Sequence, residues 1–126
     1  MRRKTALVAG SGCGVCVCIV TIVFVAYSHW WNWSLPEKLE SIQNGNQVIK
    51  GLRSYYSDHG CFPDGLNALV PIHLPTIPNP TAGTRRWAYF VEPDKQTFRL
   101  QFSTPDGYPS MNYCSFREDA EWYEDN

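Results

Sequence analysis

Residues 34–60, SLPEKLESIQNGNQVIKGLRSYYSDHG, carry the pattern on which the fold turns. Leu35, Leu39, Ile42, Ile49, Leu52 and Tyr56 recur at three- and four-residue steps or their multiples. That is the spacing of one apolar stripe on an α-helix. Ser34 stands in the cap position, Pro36 suits a first turn, and Glu37 completes the order of a capping box. Gly60 is a natural stop after Asp58 and His59. The spacing predicts a helix over 35–58. Its middle reads as the weak point, because Asn46 falls on the stripe and Gly45 lowers helix propensity.

Downstream, Cys61-Phe62-Pro63-Asp64-Gly65 reads as a turn, and Leu66, Leu69 and Val70 suggest one or two short helical turns. Residues 71–84 contain four prolines and no sustained period, so they form an irregular connection packed through Ile72, Leu74 and Ile77. RWAYFVE (86–92) and QTFRLQFS (96–103) are aromatic-rich strands joined by Pro93-Asp94-Lys95, an antiparallel hairpin. A third strand falls at 111–116. A sheet of that size leaves one face to cover, and the helical stripe is the large apolar partner available. The fold class is therefore α+β, a long amphipathic helix packed on a small antiparallel sheet.

Upstream, the distribution of charge says more than its total. The chain has 126 residues and a net charge of -1, which argues against a nucleic-acid binder. Arg2, Arg3 and Lys4 make a basic tip, and the next formal charge is Glu37. Residues 37–116 balance, and 117–126 set Arg117 against Glu118, Asp119, Glu121, Glu124 and Asp125. The uncharged stretch between tip and body is long enough, as a helix, to cross a hydrocarbon core of about 30 Å. Tyr27, Trp30, Trp31 and Trp33 suit the headgroup level at its end, and basic residues stay cytoplasmic. The expected organisation is a cytoplasmic tip (1–4), a membrane-spanning helix (5–28), an interfacial aromatic segment (29–34), an exported domain (35–116) and a solvated acidic tail (117–126). A cleaved secretory signal is the alternative reading, with Ala26-Tyr27-Ser28 loosely matching a cleavage site. Either way the body is exported, to the periplasm or another extracytoplasmic space.

Cys13, Cys16 and Cys18 fall in the apolar stretch and read as small buried hydrophobes. Cys61 and Cys114 are the two in the exported body, and an oxidising compartment allows them to pair. Such a disulfide closes a loop of about 50 residues, worth on the order of 4 kcal/mol on a loop-entropy account. Two independent thiols are the other reading.

Chemistry is hard to find in this chain. It has no Gly-rich phosphate loop, HExxH, GxSxG or EF-hand pattern. His29, His59 and His73 are far apart in sequence and read as surface or structural residues. No cofactor is expected; calcium on Asp94, Asp106 and the terminal acids is the one metal for which oxygen ligands are at hand. No catalytic residue stands out, and the expectation is a non-enzymatic protein.

The run IKGLRSYYSDHGCFPDGLNALVP (49–71) resembles the helix end of type IV pilin-like proteins, and LPTIPNPTAGTRRWAYF (74–90) resembles their proline-rich loop and aromatic first strand. Within that family the major pseudopilins of type II secretion are the most similar. The matching positions are Tyr55, Tyr56, Gly60, Pro63, Leu66, Leu69, Pro78, Pro80, Trp87 and Tyr89. The chain departs from the family in lacking the prepilin leader motif and the Glu early in the hydrophobic helix. The resemblance implies a structural or interaction subunit of a cell-envelope or secretion assembly. Its partners would be the lipid bilayer and other pilin-like or secretion subunits. The alternative is a membrane-anchored extracytoplasmic module that captures a ligand and does not polymerise.

Overall fold

The computed structural model describes residues 17–25 and 34–125. The chain divides into two units, Met1–Asn32 and Trp33–Asn126. In the first, residues 17–25 form helix α1, with Val17, Ile19, Val20, Ile22, Val23, Phe24 and Val25 exposed. Among the described residues no helix is long and apolar enough to cross a membrane. The expected span 5–28 extends beyond the described residues at both ends, and Tyr27, Trp30, Trp31 and Trp33 lie outside them.

The second unit is α+β. Helix α2 runs Leu35–His59, and the left-handed Gly60 (φ 71°) ends it by donating its N–H to Tyr56 C=O. Pro36 sits in the first turn as expected, but the cap works differently. Ser34 Oγ donates to the Glu37 carboxylate at 2.7 Å, so the two side chains of the expected box bond each other instead of the backbone. A 3₁₀ turn, η1 (Leu66–Leu69), follows, then a long connection into four strands: β1 (Ala88–Val91), β2 (Phe98–Ser103), β3 (Ser110–Cys114) and β4 (Trp122–Asp125). They form one antiparallel meander in sequence order. The expected solvated tail thus supplies a fourth strand. Trp122 is packed against both core clusters, which outweighs the charge around it.

Alternation along the strands sorts the sheet into two faces. The row Tyr89, Leu100, Tyr113, Trp122 faces α2, and so do Phe98 and Phe102. Val48, Ile49, Leu52, Phe62 and Leu69 complete the main core with them. Four of the six stripe residues pack as expected: Ile49 and Leu52 are buried, and Ile42 and Tyr56 lie against the core, with Ser41, Gly45, Val48 and Gly51 also buried on the helix. Leu35 and Leu39, expected in the core, are 65% and 51% exposed. The N-terminal half of α2 meets the bulk of Trp87 and Trp122 and the backbone of residues 78–82, so small side chains fit there.

The connection after η1 is irregular as expected, and Leu74 and Ile77 pack on the core, but Ile72 is 85% exposed. Side chains and backbone stitch this connection to the helix. Ser41 Oγ donates to Glu37 C=O (2.7 Å) and accepts from the Thr81 and Ala82 N–H groups (2.9 Å each). Asn44 Nδ2 donates to Asn79 C=O, Trp87 Nε1 to Pro78 C=O, and Tyr89 OH to Pro63 C=O. Burial, with the charges of Asp64 and Tyr55 adding to it, pushes the Tyr89 phenol far above its ordinary range. The folded state therefore keeps this proton to a higher pH than the unfolded chain, whose phenol titrates near ~10. The stabilisation is intact below that pH and drains away as pH rises above it. Thermal melts between about pH 8 and 11 are expected to fall steeply for the wild type and less steeply for Tyr89→Phe. At neutral pH that variant loses about 1 kcal/mol with the bond to Pro63.

Candidate functional site

Two groupings of chemistry-bearing side chains stand out among the described residues. The first lies at the C-terminal end of α2. Tyr55, Asp58 and His59 share the helix's last turns, and the backbone turn after η1 brings His73 back onto them through His73 N–H to Leu69 C=O. His59 stacks on Tyr55 with ring centroids 4.0 Å apart, and His73 meets Tyr55 edge-on at 5.3 Å. The two imidazoles are 6.0 Å apart. His59 Nδ1 lies 3.0 Å from Tyr55 C=O, which suits a ring that donates from Nδ1. His73 Nδ1 lies 3.1 Å from Ser54 Oγ and 3.8 Å from Asp58 Oδ2, while its side chain is only 4% exposed.

The residue types are those of a hydrolytic triad, but the geometry is not. In a relay the hydroxyl and the carboxylate sit at opposite ring nitrogens. Here both approach Nδ1, so the imidazole cannot pass a proton from one to the other. His73 instead clamps the connection to the helix. Sequence spacing gave no sign of this, because His73 lies fourteen positions after His59 and the turn at Leu69 closes the gap.

The second grouping covers the sheet face turned away from α2. Arg99 holds its guanidinium 4.6 Å from the Phe90 ring centroid, and Arg117 lies 4.5 Å from that of Tyr123. Tyr123 OH and Cys114 Sγ are 3.3 Å apart. That hydrogen bond raises the Tyr123 phenol above its ordinary range, with burial next and the nearby thiol after it, against the opposing pull of Arg117 and Arg99. Arg117 grips Asp119 with two hydrogen bonds (3.0 and 2.8 Å) and holds that carboxyl below the usual carboxylate range. Phe90 is half-exposed beside this array. Arginine and aromatic side chains in such a mixture are enriched at protein interfaces. The sequence sign of this face was Tyr123, an aromatic inside the acidic run.

The disulfide expected between Cys61 and Cys114 is not formed, and both are free thiols. Strand parity is the reason. Tyr113 points to the helix side, so its neighbour Cys114 points to the opposite face, where it meets Tyr123. Cys61 stands in the turn after α2, directly before the core residue Phe62, and is partly exposed. Alkylation of the native protein is expected to modify the partly exposed Cys61 and to spare the buried Cys114 until denaturant is added. A loss of two protons in the intact mass, with neither residue alkylated, would contradict this.

Of the acidic residues named for calcium, Asp94 and Glu124 have other partners in the structure. No group of three His, Cys, Asp or Glu side chains among the described residues could hold a metal ion. Asp94 instead accepts from the Gln96 N–H, an ordinary turn contact, and Glu124 pairs with Lys38.

No family model, curated protein or solved structure matches this chain.

Proposed function

We propose that this chain is a non-enzymatic, single-pass membrane protein. Its pilin-like α+β domain lies outside the cytosol and serves as a structural or interaction subunit of a cell-envelope or secretion assembly. The observation that carries the reading is the division of labour along α2. Its middle, from Ser41 to Leu52, buries one face against the sheet and the connection, while Leu35 and Leu39 on its first turns stay exposed, directly after the Trp-rich segment. Large apolar residues left open on a helix, next to an uncharged stretch, suit lateral contact with neighbouring helices or lipid. The uncharged residues 5–28 anchor the domain, with Tyr27, Trp30, Trp31 and Trp33 at the interface and the basic tip in the cytosol.

The test is fractionation followed by cross-linking in native membranes. The full-length chain should sediment with membranes, resist carbonate extraction and give ladders of homo- or hetero-oligomers. Recovery in the soluble fraction would sink the anchor, and a membrane-bound chain that never cross-links would sink the assembly. The latter outcome would favour the ligand-capturing module instead. That reading draws on the clustered Tyr55, His59 and His73, which could receive a small ligand beside the exposed Ile72.

A further inference from the structure

The meander ends in two edges, β1 and β4, which pair with no further strand among the described residues. Glu92 N–H donates to Thr97 C=O, and in an antiparallel pair bonded positions alternate. The main-chain groups of Tyr89 and Val91 therefore turn away from β2. On the other side, the bond from Ser115 N–H to Phe98 C=O sets the phase of β2 and β3. Carried through the register, it turns Trp122 and Glu124 outward from β4. Tyr89 and Trp122 belong to one row across the sheet.

Charge is arranged on the same rows. Thr84 N–H donates to Ser103 C=O, so Arg85 and Arg86 stand at the height of Ser103 at the mouth of β1. The row of Ser103 runs through Ser110 to Asp125 on the opposite edge. Arg85, Arg86 and Asp125 are exposed and enter none of the ion pairs among the described residues. Charged edges commonly keep strands apart. That device needs like charges on the surfaces that would meet, and here β1 against β1 or β4 against β4 repels, whereas β4 against β1 attracts.

We propose that a second copy of this chain adds its β4 edge to the β1 edge of the first, head to tail, continuing one antiparallel sheet. With four alternating strands, β1 and β4 run in opposite directions. A copy displaced sideways by four strand spacings, about 19 Å, therefore keeps the alternation. The partner's Trp122 then lies across from Tyr89 as a bonded backbone pair, and the partner's Asp125 lies beside Arg86. The contact is heterologous, so it extends into a row instead of closing as a dimer. Displacement without inversion also leaves every Ser34 on one side, as attachment to a common membrane requires. The inference gives the assembly reading above a contact and rests on it.

Sedimentation of the full chain in detergent, at low and raised salt, tests the contact. The wild type should associate with rising concentration and dissociate as salt screens the edges. Arg86→Glu and Asp125→Lys should each weaken association about tenfold. An equimolar mixture of the two should recover it, because each variant's altered edge complements an edge of the other. Recovery also shows that both variants fold. Association indifferent to salt and to both substitutions, or a wild type that stays monomeric, overturns the edge contact. If such a chain still cross-links in native membranes, the assembly reading stands and only the edge pairing falls.

Discussion

Replacing Ser41 by alanine is expected to lower the unfolding free energy by about 3 kcal/mol, a large share of the 5–15 kcal/mol typical of a domain. The hydroxyl is fully buried and joins three backbone groups of two segments forty residues apart. Alanine removes one oxygen and leaves the buried Ala82 N–H and the part-buried Thr81 N–H without their acceptor. Each orphaned donor costs about 1–3 kcal/mol. Loss of the Glu37 bond adds little, because that carbonyl also accepts from Thr81 Oγ1 at 3.2 Å. For a body of this size the melting temperature should drop on the order of 15 °C. Hydrogen exchange supplies the local readout: the Thr81 and Ala82 amides should lose protection before the β2 amides do. Unchanged protection at those two positions would show that the hydroxyl does not hold the connection.

The same contact explains what the sequence could and could not disclose. The limits of α2 were legible, because Pro36 and Gly60 act as local rules require, although Ser34 caps the start without the expected bond to the backbone. The hairpin of β1 and β2 was legible for the same reason, since Phe98, Leu100 and Phe102 alternate and face the core. The buried face of α2 was legible only in part: Ile42, Ile49, Leu52 and Tyr56 pack as their spacing predicts, and Leu35 and Leu39 do not. An apolar stripe assumes that the helix brings the bulk, yet in its N-terminal half the partners bring it, and Ser41 and Gly45 fit beneath them. Hydrophobicity placed Leu35 and Leu39 inside because nothing in their spacing says how far the sheet reaches along the helix.

Charge misled at the other end of the chain. Five acids within 117–126 read as solvent-loving, and four residues of that run nevertheless complete the sheet. Glu124 finds Lys38 and Asp119 finds Arg117, so two of the acids have partners that lie outside any local window or two residues away. The thiols failed for a third reason. Pairing by elimination treats two cysteines as points, whereas a one-residue step along β3 decides which face of the sheet a side chain occupies. The imidazoles of His59 and His73 met for the converse reason, through a turn whose path no spacing rule encodes.

Gly45 gives the sharpest test of that packing. A Cβ at this position would stand 2.4 and 2.7 Å from two ring carbons of Trp122 and 3.0 Å from Trp87. Neither ring can easily give way. Trp122 Nε1 donates to Asn46 Oδ1, and the indole lies against Trp87, Phe102 and Tyr113. Helix propensity alone would make Gly45→Leu stabilising by up to about 1 kcal/mol. Overpacking against a held ring reverses the sign, and a net loss of about 3 kcal/mol is expected. Gly51→Ala is the comparison within the same helix. The three atoms nearest its Cβ all belong to the Leu74 side chain, from 2.7 Å, in the irregular connection, so a loss of no more than about 1 kcal/mol is expected. Trp122→Ala should be costly by itself and yet relieve Gly45→Leu, leaving the double variant at least ~1.5 kcal/mol more stable than the sum of the two losses predicts. Strict additivity would mean that α2 and β4 do not touch at Gly45, and a stabilised Gly45→Leu would mean that the helix obeys its propensity there and not the sheet.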